Sequence, residues 1–288
     1  MLRIKEAVYE ARHNLIHSSE SPQLDAEVIL AHLLDVDRLF LIARGEEVLS
    51  AGTEKTYREL IARRARGEPV AYICGEKEFF GLTFAVSPAV LVPRPETEML
   101  VEHAQRFLLS HSKSFQYLEL GTGSGCITCS LVHELMRNHS ATLANSSFFA
   151  TDISPAALEI ANKNAMKHGI SDYITFLEGS WYEPIGNKTF RCIVSNPPYV
   201  PHGTKLAPDL SFEPAGALFS NEDGLSDLLI IIDGAKTRLE VGGKLFLECG
   251  EGQWAALQSR ESIGINFEMV AHRDLQGIER VLELTKIQ

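Results

Sequence analysis

The sequence predicts an α/β fold, a doubly wound sheet preceded by a small helical segment. Three observations carry this. Beyond Ser114, short apolar runs alternate with helix-like stretches. A glycine-rich turn, Gly121-Thr122-Gly123-Ser124-Gly125, follows the first of those runs and opens a helix. Up to about Gly75, the spacing of apolar residues is helical.

In the first part, Ser21-Pro22 places a cap and an N1 proline ahead of Leu24, Val28 and Ala31, which share one helix face. A second helix runs through Thr56 to Arg64 and stops at Gly67 and Pro69. Its Arg63, Arg64 and Arg66 read as a solvated helix end, favoured by the dipole; docking of a partner is the other reading. Short apolar and aromatic stretches around Gly81, between Ile73 and Val92, suggest a hairpin. Tyr117–Leu120, Phe148–Thr151, Ile174–Leu177, Cys192–Ser195 and Leu245–Glu248 read as buried parallel strands. Helices are expected from near Cys126, Ala156 and Leu225. Glu268–Ala271 and Val281–Leu284 are too close for a helical crossover, so they should pair antiparallel.

The 288 residues are 45% apolar and 23% charged, too apolar for a disordered chain. Gly (21) and Cys (5) are too few for a collagen-like or disulfide-rich secreted protein. A net charge of −11 argues against a long duplex footprint, whose affinity comes from Lys and Arg. Neither part is basic: residues 1–75 hold 10 basic and 12 acidic side chains, and the remainder 17 and 26. Met1 to Val8 carry charge without an apolar core, and the longest apolar run, Leu228 to Ile232, ends at Asp233. These features point to a cytoplasmic protein with no membrane partner and reduced cysteines. Cys126 and Cys129 form C-x-x-C without a second pair nearby, so they read as small buried helix residues and no metal is expected.

Three motifs carry chemistry. Glu119 precedes the glycine turn, where absent side chains let the backbone approach a ligand. The sixth position is Cys126, so the dinucleotide fingerprint is incomplete. Asp152 ends the next strand, where its carboxylate can accept from ribose hydroxyls; a helix-start acid is the alternative. Asn196-Pro197-Pro198-Tyr199 follows a strand, and its prolines leave carbonyl oxygens free to accept. Asn196 Oδ1 and the Pro197 carbonyl can take the two hydrogens of a planar NH2 group while Tyr199 stacks on its face. A simple proline turn would explain one Pro but not the tetrad.

Asn-Pro-Pro-Tyr downstream of Glu-x-Gly-x-Gly-x-Gly resembles S-adenosylmethionine-dependent methyltransferases that modify planar nitrogens. Pro69-Val-Ala-Tyr72, Phe79-Phe-Gly81, Pro93-Arg94-Pro95-Glu96-Thr97-Glu98, Phe212-Glu-Pro214, Asp223-Gly224 and Glu248-Cys-Gly250-Glu-Gly-Gln253 narrow the resemblance. Together they are similar to the HemK/PrmC family, the bacterial release-factor glutamine methyltransferases. The resemblance implies a class I methyltransferase fold in three parts. A helical domain would span residues 1–75, a hairpin linker 76–92, and a seven-stranded S-adenosylmethionine-dependent domain 93–288. It implies that Glu119, Gly121, Thr122, Gly123, Ser124, Gly125, Asp152, Trp181 and Asn196 bind the cofactor, which leaves as S-adenosylhomocysteine. Asn196, Pro197, Pro198 and Tyr199 would hold the substrate glutamine, with Asn196, Pro197 and Tyr199 as the catalytic groups. The expected partner is a class 1 release factor, methylated on the glutamine of its Gly-Gly-Gln motif.

Two positions depart from the family pattern: Glu119 stands where Asp is usual, and Ser180 stands where Asp usually precedes Trp181. The second removes a carboxylate acceptor for the adenine amino group and implies a weaker grip there. Other readings of the same motifs are a ribosomal-protein glutamine methyltransferase, a DNA adenine-N6 methyltransferase, and a non-enzymatic module that binds the cofactor and a partner.

Overall fold

The computed structural model describes residues 1–111 and 114–288. The chain divides into two compact units. The first comprises Met1–Lys77, Val86–Pro88 and Leu206–Glu213; the second comprises Glu78–Ala85, Ala89–Lys205 and Pro214–Gln288.

The first unit is built from helices α1 (Ile4–Leu15), α2 (Pro22–Leu34), α3 (Arg38–Ala43), α4 (Ala51–Ala65) and α5 (Val70–Cys74). Helix α1 buries Ile4, Ala7, Val8, Ala11 and Leu15, the three-and-four spacing that makes one apolar stripe. That stripe shares a core with Ala26, Ile29 and Leu30 of α2 and Tyr57 and Ile61 of α4. The arginine cluster is not the solvated helix end expected from its charge. Arg64 is buried and donates through Nε to Asp25 Oδ2 at 2.6 Å, and Arg63 pairs with Glu68; only Arg66 is exposed. The last turn of α4 meets a buried acid on α2, and a buried carboxylate needs a cation. Ser21 also differs from expectation. It precedes Pro22 at the helix start, but its hydroxyl turns to Asp25 Oδ1 at 3.3 Å instead of capping a backbone amide.

The compact units differ in detail from a division at residues 75 and 92. Segment 206–213 belongs with the helical unit. There, Gly67 lies so close to Pro208 and Phe212 that a Cβ on it would stand 3.3 and 3.5 Å from them. The hairpin of β1 (Glu76–Phe79) and β2 (Leu82–Ala85) is itself divided after Lys77. It turns at Phe80-Gly81, both with positive φ (51° and 73°), the backbone a tight two-residue hairpin requires.

The second unit contains a seven-stranded sheet. Its strands are β3 (Gln116–Leu120), β4 (Ser147–Asp152), β5 (Ile174–Glu178), β6 (Phe190–Ser195), β9 (Leu239–Glu248), β10 (Phe267–Arg273) and β11 (Glu279–Lys286). A short parallel pair, β7 (Val200–Pro201) and β8 (Phe219–Ser220), stands apart. The sheet order is β10-β11-β9-β6-β3-β4-β5. Strands β9, β6, β3, β4 and β5 are parallel to their neighbours in that run, while β11 is antiparallel to both β9 and β10. This matches the five parallel strands and terminal antiparallel pair expected from the sequence.

Alternation places Tyr117, Phe148, Cys192, Val194 and Phe246 on one face of the sheet. They pack against α6 (Glu98–His111) and α7 (Cys126–Asn138). Leu118, Ile193, Leu245 and Leu247 pack on the other face against Leu228, Ile231 and Ile232 of the helix Ser226–Arg238. Cys126 and Cys129 are buried on α7 as free thiols, as expected. Helices α8 (Ser140–Ala144) and α9 (Pro155–Lys167) follow; Ser154 caps α9 by accepting from the Ala157 amide. Because β4 and β6 flank β3 on opposite sides, the winding reverses at β3, which opens a crevice beyond the carboxyl ends of these strands. Among the described residues, no helix is long and apolar enough to cross a membrane.

Candidate active site

A cavity of about 530 Å³ occupies that crevice. Its wall includes Glu119, Gly121, Thr122, Gly123, Ser124, Asp152, Trp181, Asn196 and Pro198. The sheet thus brings three separate motifs to one space. Gly125, Pro197 and Tyr199 are not on the wall. Gly125 (φ 79°) is a packing glycine: a Cβ there would stand 3.1 Å from Ala161 Cβ on α9. Gly121 (φ 69°) faces the Trp181 ring, which a Cβ would meet at 3.4 Å.

Three acidic residues line the cavity, Glu119, Asp152 and Asp227, and the first two contact the glycine turn. Glu119 is buried, and its Oε2 accepts from Thr122 Oγ1 (2.9 Å), Thr128 N (3.1 Å) and Thr128 Oγ1. Burial lifts its pKa to about 7 against the pull of those donors, and the charge of Asp152 adds to the rise. Asp152 Oδ2 accepts from Gly123 N at 2.8 Å and Oδ1 from Ser154 N at 2.9 Å. Burial raises its pKa as well, despite the backbone donors. Two acids held above their ordinary range suit a ligand that brings positive charge, since a cation restores the ionised forms.

Trp181 has φ 43°, a left-handed conformation that is costly for a bulky residue. Its carbonyl accepts from Thr151 Oγ1 at 3.1 Å, which helps hold it there. Ser180 also lines the cavity, and its amide donates to Glu183 at 3.3 Å. Ile153 forms part of the wall while 71% exposed, an apolar surface that a flat ring would cover.

At the end of β6, Asn196 Nδ2 donates to Thr97 Oγ1 at 3.1 Å. Thr97 donates to Glu248 Oε2 at 2.6 Å, and the Tyr199 hydroxyl donates to Glu248 Oε1 at 3.1 Å. Burial and the nearby Glu248 push the Tyr199 phenol well up, so it stays protonated. Gln253 Nε2 donates to the Tyr199 carbonyl at 2.9 Å and to the Gly224 carbonyl at 3.2 Å, while its Oε1 accepts from Gly250 N. Gly224 presses so closely that a Cβ would lie 2.1 Å from the Tyr199 oxygen.

Sequence reasoning missed the jobs of Thr97, Glu248 and Gln253, although each lies in a motif that carries the family resemblance. It missed Asn164 altogether. That buried side chain accepts from Ala85 N (2.7 Å) and donates to Ala85 O (3.0 Å) and Ser124 O (2.8 Å), tying β2 to the glycine turn. The only available signal was an Asn inside a helix, a residue type that favours caps and turns. Away from the cavity, His103, His272 and Glu283 bring ligand-type atoms within 4.8 Å of one another. Both Glu283 oxygens are engaged there, by Lys244 and by His272, so the group is an ion-pair cluster.

Comparison with known proteins agrees with this architecture. A PrmC N-terminal domain model matches residues 6–75, and a methyltransferase small domain model matches residues 96–211. A methyltransferase from Pyrococcus furiosus superposes with a TM-score of 0.52 at 19% identity, over 82% of this chain and 100% of that one; this bears on the fold alone. The chain is 41% identical to a release factor glutamine methyltransferase of Xylella fastidiosa, over 90% of this chain and 91% of that protein. It is 39% identical to the release factor glutamine methyltransferase of Coxiella burnetii, over 98% of each. Likeness of that extent, through both units, shows that the chain belongs to the release factor glutamine methyltransferase family.

Proposed function

We propose that the protein transfers a methyl group from S-adenosylmethionine to the side-chain amide nitrogen, N5, of the glutamine in the Gly-Gly-Gln motif of class 1 release factors, in the cytoplasm. The observation that supports it best is that Asn196 lines the same cavity as Glu119 and Asp152.

The cavity residues fit the cofactor. Glu119 and Asp152 suit its cationic groups and ribose hydroxyls, the turn from Gly121 to Ser124 lets backbone approach the methionine part, and Trp181 and Ile153 offer apolar faces to the adenine. When bound, S-adenosylmethionine would supply an electrophilic methyl on sulfur: the S–C bond would break as the N–C bond forms, sulfur would keep the electron pair, and the amide nitrogen would release one proton to solvent. An amide nitrogen is a weak nucleophile, so the protein contributes position and orientation. Asn196 Oδ1 and the Pro197 carbonyl accept the two N–H bonds and favour the positive charge that builds on nitrogen. Pro198 bounds the amide from the cavity wall, and Tyr199 anchors the tetrad from behind. The Cys126 thiol on the wall is held neutral by burial and takes no part as a nucleophile.

The test is incubation with S-adenosylmethionine and purified release factor, followed by peptide mass spectrometry. One methyl on the Gly-Gly-Gln glutamine is expected, and Asn196→Ala should abolish it while retaining cofactor binding. Methyl incorporation into ribosomal protein or DNA instead, with the release factor untouched, overturns the reading.

A further inference from the structure

Three motifs that the transfer chemistry leaves unexplained converge on Asn196 to Tyr199. Thr97 comes from Pro-Arg-Pro-Glu-Thr-Glu, Gly224 from Asp-Gly, and Glu248, Gly250 and Gln253 from Glu-Cys-Gly-Glu-Gly-Gln. Resting on the function proposed above, we propose that Thr97 and Glu248 are positioning residues that fix which end of the Asn196 amide faces the substrate, and so select an amide over a carboxylate at the methylated position.

The argument is one of hydrogen-bond polarity. A carboxylate only accepts. Glu248 therefore obliges the Thr97 hydroxyl to spend its single proton on Oε2, at 2.6 Å. Thr97 Oγ1 can then only accept from Asn196, which forces Nδ2 toward Thr97 and leaves Oδ1 as the acceptor for a ligand. The Tyr199 hydroxyl, on the other Glu248 oxygen, closes the ring of contacts from the far end of the tetrad. Both Thr97 and Glu248 are buried, at 2% and 1% exposure, so water does not scramble the relay. With the polarity fixed, the tetrad offers two acceptors, Asn196 Oδ1 on the cavity wall and the adjoining Pro197 carbonyl. A glutamine NH2 satisfies both, whereas a glutamate oxygen meets only repulsion. Gln in place of Glu248 could donate to Thr97, which would free Thr97 to donate in turn and let the Asn196 amide turn over.

The experiment uses the full chain and measures binding of two release factor forms in the presence of S-adenosylhomocysteine. One form carries the native Gly-Gly-Gln motif and the other has its glutamine replaced by glutamate. The unmodified enzyme should prefer the glutamine form at least tenfold, and Glu248→Gln should narrow the preference to about threefold or less. In methyl transfer, Thr97→Val should lower kcat roughly a hundredfold with S-adenosylhomocysteine affinity within twofold, and Thr97→Ser should restore most of the rate. If Thr97→Val does not fold, the isosteric Glu248→Gln carries the test. An unmodified enzyme that binds both forms equally, a preference unchanged in Glu248→Gln, or a Thr97→Ser rate no better than Thr97→Val overturns the relay. Failure of the unmodified enzyme to bind or methylate the release factor at all is a different result, and it overturns the proposed function.

Discussion

The carboxylate of Asp152, at the end of β4, accepts a 2.8 Å hydrogen bond from the amide of Gly123 in the turn after β3. One acid thus faces the ligand cavity and holds the turn that lines it. Asp152→Ala should weaken S-adenosylhomocysteine binding at least tenfold by calorimetry. Asp152→Asn keeps an acceptor for Gly123 and should lose less. Equal losses in the two variants would show that anchoring the turn contributes nothing.

Glu119 gives a pH dependence with a definite sign. Its folded pKa of about 7 lies above the ordinary 4.5, so the folded protein holds this proton more tightly than the unfolded chain. Its contribution to stability is fully present below about 4.5 and is lost as pH rises through about 7. A cationic ligand needs the ionised form, so its affinity should run the other way and weaken as pH falls below about 7. Titration of S-adenosylmethionine affinity between pH 5.5 and 8 checks this, and Glu119→Gln should flatten the slope. A slope retained in Glu119→Gln would assign the dependence to another group.

Gly224 follows Glu222 and Asp223, so three consecutive residues have positive φ, at 52°, 55° and 84°. Gly224→Ala adds roughly 1–3 kcal/mol of backbone strain and sets a methyl against the Tyr199 carbonyl. Methyl transfer should fall by at least tenfold, while cofactor affinity stays within about threefold. Unchanged transfer in a folded variant would show that the carbonyl can move without consequence.

In the helical unit, Asp25→Ala removes the carboxylate from the buried Arg64 guanidinium and leaves it a neutral acceptor, the Glu68 carbonyl, at 3.3 Å. Breaking a buried pair in this way costs about 3 kcal/mol, which denaturant unfolding should register. Arg64→Ala should cost less, because Ser19 and Ser21 still donate to Asp25.

The contiguous parts of the site are legible in sequence. Asn196 to Tyr199 follow one another at a strand end, and Asp152 is the last residue of the next strand but one in space. The supporting bonds are not. Asn196 to Thr97 spans 99 residues and Thr97 to Glu248 spans 151, so no local spacing announces either. Periodicity finds the glycine turn but cannot say that Gly125 faces a helix while Gly121 faces the cavity. Arg64 reads as solvated because nothing within α4 reveals the acid waiting on α2. The strands are readable because burial on both faces makes their apolar runs nearly continuous.

The placing of β6 between β3 and β9 has a consequence for how the protein is made. Gln253, which clamps the Tyr199 carbonyl, follows it by 54 residues. At 5–20 residues per second on the ribosome, roughly 3 to 11 s separate the synthesis of the tetrad from that of its clamp. During that interval β6 waits with one edge bare. A nascent chain can therefore display the whole glycine turn and the Asn-Pro-Pro-Tyr segment and still have no rigid place for an amide, so competence comes only with the last sixth of the molecule.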